Sequence, residues 1–107
     1  MDRDLIKQQL EYALEGTNFD DQGELYKGKV RDNYINEDTI TMVTTDRISA
    51  FDKVLGTVPF KGQSLVELAD WWFGETADIV ANHIIRRPHP NVWKVKRCEP
   101  IQVEMVV

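Results

Sequence analysis

Two stretches on either side of a short turn, the first alternating with a period of two and the second rich in β-branched residues, commit the middle of the chain to a β-hairpin. In residues 25–36, which begin LYKGKVRDNY, an extended backbone sends Tyr26, Val30 and Tyr34 to one face and Lys27, Lys29 and Arg31 to the other. INED supplies a turn, and DTITMVTTD, residues 38–46, returns with the β-branched content of a strand. On that reading the three cations stand about 7 Å apart along one face. Like charges in a row repel, so the row calls for an anion.

The segments around the hairpin supply helices and further strands. Asp2 can cap a first helix, Leu5, Ile6, Leu10, Ala13 and Leu14 recur at helical spacing, and Gly16 suits its end. Residues 17–23 are polar and turn-forming. Residues 47–63 show no clean period and carry Gly56, Pro59 and Gly62, which predicts irregular backbone with a short strand over 54–58. A second helix starts at Ser64, where Glu67 completes a capping box, and Leu65, Leu68, Trp72, Ile79 and Val80 form its buried stripe. Gly74 within it costs about 1 kcal/mol relative to alanine. Trp71 and Trp72 are adjacent and cannot both face the same core. RRPHPN, residues 86–91, ends the helix, and strands follow over 92–97 and 100–107. The fold class is α+β: a mostly antiparallel sheet with flanking helices in one domain, residues 1–107.

The charge balance narrows the ligand. A formal net charge of −5 opposes general attraction to nucleic acid or to anionic membranes, so a local cationic row suits a small anion. The single cysteine, Cys98, can form neither an internal disulfide nor a metal cluster. It reads as a packed core thiol in a reducing compartment, the cytoplasm. No apolar run reaches membrane-spanning length, and MDRDLIKQQL lacks the apolar centre of a signal peptide.

Two constellations carry chemistry. Lys27, Gly28, Lys29, Val30 and Arg31 can line the phosphates of a nucleotide, with the glycine allowing close approach of backbone to ligand. The other reading of the row is a solvated face whose cations pair with Asp20, Asp21 or Glu24. Neither GxxxxGK[ST] nor GxGxxG is present. The second constellation is TTDRISAFD, residues 44–52. Arg47 can bind a carboxylate or phosphate, Ser49 can donate a hydrogen bond, and Asp46 and Asp52 can hold a hydroxyl, an amine or a metal-bound water. The competing reading is a local network with Asp46 capping a turn and Arg47 paired to Asp52. His83 and His89 have no partners at metal-ligand or nucleophile spacing.

GKVRD followed by DRISAFD, then KGQSLVELADWWF and HPNVWKVKRCEPIQVEMVV, resembles the phosphoribosylaminoimidazole-succinocarboxamide synthase (SAICAR synthetase) family over about four-fifths of the chain. The resemblance implies an ATP-dependent ligase of purine biosynthesis that joins aspartate to carboxyaminoimidazole ribotide and releases ADP and phosphate. It implies activation of the carboxylate by phosphorylation, then displacement of phosphate by the aspartate amine. Lys27, Gly28, Lys29, Val30 and Arg31 would contact ATP, with Lys29 on phosphate. Asp46, Arg47, Ser49 and Asp52 would border the substrate side.

The resemblance also implies a chain about twice this length, with a later Arg-Gly-Tyr segment and acidic ligands for Mg2+. The expectation is therefore an N-terminal fragment, inactive alone, whose last strand or exposed tryptophans pair with another copy to give a homo-oligomer. A stand-alone nucleotide-binding or regulatory module without catalysis, and an assembly protein with a merely solvated lysine row, are the other readings.

Overall fold

A computed structural model describes residues 2–107. Its centre is a five-stranded antiparallel sheet built from β1 (Glu24–Lys27), β2 (Arg31–Ile35), β3 (Thr39–Thr44), β6 (Ile84–His89) and β7 (Val92–Lys96), in the order β1-β2-β3-β7-β6. A separate hairpin joins β4 (Arg47–Ala50) to β5 (Lys53–Thr57). Helix α1 (Arg3–Gln9) continues into a 3-10 turn, and α2 (Lys61–Thr76) packs on the sheet. The fold is α+β, as expected, and every strand pair is antiparallel.

The register sorts the side chains into two layers. Ile35 pairs with Ile40, Asn33 with Met42 and Met42 with Trp93, so Ile40, Met42, Trp93 and Val95 share one face. Val66, Ala69 and Phe73 of α2 pack there, with Val66 and Val95 almost fully buried. Asp32, Tyr34, Thr41 and Val43 point the other way. That face is crossed by residues 17–19: Thr17 bonds Asp32, and the Phe19 and Tyr34 rings lie 5.2 Å apart.

Several sequence expectations are corrected. Residues 25–36 are two strands, and Lys29 and Val30 are the tip between them. Lys27 pairs with Asp32, which puts its side chain on the face opposite that of Arg31. The three cations therefore form no row. The short strand expected over 54–58 is β5, whereas β4 occupies residues expected to be irregular.

Helix α2 starts before Ser64 because a distant side chain caps it. Asp46 Oδ1 accepts the Gly62 N–H at 2.8 Å, satisfying an orphan amide of the first turn. Ser64 Oγ instead donates to the Phe60 carbonyl oxygen at 2.8 Å, so the expected capping box does not form. The buried stripe is Val66, Ala69 and Phe73, while Leu65, Leu68, Trp71 and Trp72 are exposed. Ile79 and Val80 lie beyond the helix and are exposed too. At α1 the Asp2 carboxylate accepts the Asp4 N–H at 2.8 Å, as a cap should, but no residue of that helix is buried.

Strand β6 was hidden by Pro88. Proline is tolerated at a sheet edge, where its missing N–H costs no ladder bond, and β6 is an edge with two irregularities in its register. Residues 100–107 are not a strand, so the sheet's edges are β1 and β6 and the expected pairing through a last strand has no basis. Cys98 is exposed rather than a core thiol. No helix among the described residues is long and apolar enough to cross a membrane.

Candidate functional site

The two motifs meet at the tip of the β1–β2 hairpin. Gly28 donates its N–H to the Arg31 carbonyl oxygen at 2.7 Å, closing a two-residue turn over Lys29 and Val30. A Cβ on Gly28 would stand 3.2 Å from that oxygen, a tight fit that favours glycine. Lys29 is exposed.

Arg47 comes from the first position of β4 and is buried beneath this turn. Its Nε donates to the Lys29 carbonyl at 3.0 Å, Nη2 to the Gly28 carbonyl at 3.0 Å and to Asp32 Oδ1 at 2.9 Å, and Nη1 to the Glu15 carbonyl at 2.7 Å. Four of the five guanidinium donors are thereby spent inside the protein. Neighbouring Thr45 fixes the next carbonyl, Val30, through its N–H at 3.0 Å and its hydroxyl at 2.8 Å.

Asp32 completes the buried cluster. Its Oδ2 accepts the Thr17 N–H and hydroxyl, each at 2.9 Å. Because Thr17 has one hydroxyl proton, it accepts from the Tyr34 hydroxyl at 2.7 Å. Burial pushes the Asp32 carboxyl up, but the hydrogen bonds from Arg47 and Thr17 together outweigh it and hold the pKa below the ordinary value. Asp32 was not among the sequence candidates. Its only signal is the alternation that places it behind the tip, and that becomes readable once the strand pairing is known.

The other DRISAFD residues divide between scaffold and surface. Asp46 is buried, with Oδ2 accepting the Leu14 N–H at 2.7 Å and Oδ1 serving α2. Ser49 is half-buried in β4 beside a register shift. Asp52 is exposed at the β4–β5 turn and pairs with Lys29, not with Arg47. That hydrogen bond raises the Lys29 pKa and lowers that of Asp52. Phe51 and Asp52 both adopt left-handed backbone, at φ 51° and 63°, and Phe51 is 98% exposed. Non-glycine residues in that region cost on the order of 1–2 kcal/mol each, so the turn presents these side chains against local preference.

The tip fits a phosphate. Lys29 offers an exposed cation, paired with the exposed Asp52, and its N–H and that of Val30 donate to no protein acceptor among the described residues. Magnesium fits less well. Among the described residues no group of three or more His, Cys, Asp or Glu side chains could hold a metal ion, and Asp32 and Asp46 are already engaged. A cavity of about 310 Å³ between α2 and the sheet is lined by Val30 and Arg31 among others, but not by Lys29 or Asp52.

The family model described as SAICAR synthetase matches residues 24–107. Phosphoribosylaminoimidazole-succinocarboxamide synthase of Legionella pneumophila (strain Lens) is 53% identical over 85 residues, covering 79% of this chain and 27% of its own length. Among solved structures, SAICAR-synthase from Saccharomyces cerevisiae complexed with SAICAR matches with a TM-score of 0.70 at 27% identity, over 79% of this chain and 37% of that one. A type-2 SAICAR synthetase in complex with ADP matches at a TM-score of 0.60 and 26% identity, over 69% and 33%. The aligned part of the chain covers 27% to 37% of these relatives' lengths, less than the half expected from sequence. With most of its length matched by the family model and half of the aligned residues shared with a curated relative, this chain belongs to the SAICAR synthetase family.

Proposed function

We propose that residues 1–107 form the N-terminal, nucleotide-covering domain of an ATP-dependent ligase that joins aspartate to carboxyaminoimidazole ribotide, giving SAICAR, ADP and phosphate. The observation that carries this reading is the meeting of the two motifs at one hairpin tip, where Lys29 contacts Asp52 and Arg47 bonds the Gly28 and Lys29 carbonyls. The names of relatives supply the ligands: one solved neighbour holds SAICAR and another ADP.

In this reading Gly28, Lys29 and Val30 face the ATP phosphates, with Lys27 and Arg31 flanking them from opposite faces of the sheet. Ser49 and Asp52 border the acceptor substrate, and Asp46 and Arg47 hold the loop that carries them. Phosphoryl transfer depends chiefly on positioning and on neutralising charge, which a lysine at a fixed turn supplies. The magnesium that accompanies ATP finds no ligand set among the described residues, and the reading takes those ligands from elsewhere in the ligase. The chain acts in a reducing compartment such as the cytoplasm, where Cys98 stays a free thiol.

Titration of ATP into the chain and into Lys29→Ala tests the reading. Saturable binding, weakened about tenfold by the substitution, is expected. Equal binding by both would overturn the phosphate role. Incubation with ATP, magnesium, aspartate and carboxyaminoimidazole ribotide should give no sustained ADP release coupled to product. Sustained coupled turnover would show that the chain needs nothing further.

A further inference from the structure

Three consecutive carbonyls at the hairpin tip, those of Gly28, Lys29 and Val30, all point into the protein and all accept hydrogen bonds from two residues on either side of Asp46, Arg47 and Thr45. A tight turn does not require this. Carbonyls at an exposed turn can be satisfied by water at little cost. Here instead a buried guanidinium, 3% exposed as a residue, is committed to the task, with its charge balanced by Asp32.

The geometry of the peptide bond gives the consequence. In a trans peptide the C=O of one residue and the N–H of the next point in opposite directions, and the described chain has no cis peptide. Drawing the Gly28 and Lys29 carbonyls inward therefore turns the Lys29 and Val30 N–H groups outward. Neither N–H has a protein acceptor among the described residues. Successive outward amides beside an ammonium form a concavity suited to an anion.

We infer that Arg47 and Thr45 are positioning residues: they hold the Gly28–Lys29–Val30 turn with its carbonyls inward and its amides presented to a phosphate. The inference rests on the nucleotide reading above and gives Arg47 a role through the turn, without contact to the ligand. A lysine at position 47 would keep the charge opposite Asp32 but lose the planar fork that reaches two carbonyls at once.

The test uses the 107-residue chain, ADP as probe, and four proteins: wild type, Arg47→Lys, Thr45→Val and Val66→Ala. Val66 lies in the core under α2 and, although it lines the same cavity as Val30, makes no hydrogen bond to this network, so its variant controls for lost stability. ADP affinity is measured by calorimetry well below every unfolding midpoint, and amide shifts of Gly28, Lys29 and Val30 are recorded without ligand. Arg47→Lys is expected to weaken ADP binding about tenfold and to move the tip shifts, whereas Val66→Ala binds as wild type. Thr45→Val removes one of the two bonds to Val30 and gives a smaller loss in the same direction. It also keeps the test decisive if Arg47→Lys does not fold.

Binding by folded Arg47→Lys within twofold of wild type would overturn the inference. So would an equal loss of binding in Val66→Ala, which would mark a general effect of stability. A wild-type chain that does not bind ADP would overturn the nucleotide reading instead. The tip shifts would then still decide the clamp: moved by Arg47→Lys they support it, unmoved they overturn it.

Discussion

Arg47 and Asp32, fifteen residues apart in sequence, form an ion pair of 2.9 Å with side chains only 4% and 1% exposed. Removing one partner strands the other charge away from water, which typically costs about 3–5 kcal/mol. Asp32→Ala should destabilise the chain by roughly that amount in urea unfolding, since it also orphans Thr17. A loss below about 1 kcal/mol would mean that solvent reaches the pair.

The same pair sets an acid limit. The folded Asp32 carboxyl titrates lower than its unfolded counterpart. Its contribution is therefore complete above the unfolded pKa of about 3.9 and is lost as pH falls through the folded value. Stability measured against pH should drop below about pH 4, and Asp32→Asn should flatten that part of the curve. An unchanged acid limb in the variant would assign the drop to other carboxylates.

Two glycines of α2 should respond oppositely to alanine. A Cβ at Gly62 would stand 2.3 Å from the Thr44 carbonyl oxygen and 2.8 Å from that of Thr45, both backbone atoms that cannot swing aside. Gly62→Ala should cost about 3 kcal/mol by overpacking. At Gly74 nothing lies within 4 Å, so Gly74→Ala should raise stability by about 0.5–1 kcal/mol through helix propensity. Thermal unfolding of both variants checks the pair, and a shift in the same direction would contradict it.

Lys29 and Asp52 are both solvent-exposed, so their pairing competes directly with any anion for the ammonium. Asp52→Asn should leave the unfolding midpoint unchanged and tighten ATP binding a few-fold. Weaker binding in the variant would mean that Asp52 helps to present Lys29.

What the sequence made legible was local, and what it hid was made by contacts distant in the chain. The turn between β2 and β3, the Asp2 cap and strand β7 each depend on neighbours a few residues away. The start of α2 does not: it follows from Asp46, sixteen residues upstream, and the capping box at Ser64 and Glu67 was a local preference that lost. The helix phase shifted with it, burying Val66 where Leu65 and Leu68 were expected. At the site, GKVRD and DRISAFD were legible as a cationic and a polar cluster, and it was the resemblance to a known family that tied them to a nucleotide. Their joining through Arg47 needed the fold, because alternation alone ran β1, the tip and β2 together as one strand.

The central claim is that the hairpin tip receives nucleotide phosphate, and an amide-resolved titration of the 107-residue chain with ADP tests it most directly. The account predicts that the largest shifts fall on Lys29 and Val30, saturate with ADP, and are absent with adenosine. Shifts confined to the cleft beneath α2, or equal responses to ADP and adenosine, would place the ligand elsewhere and contradict the account.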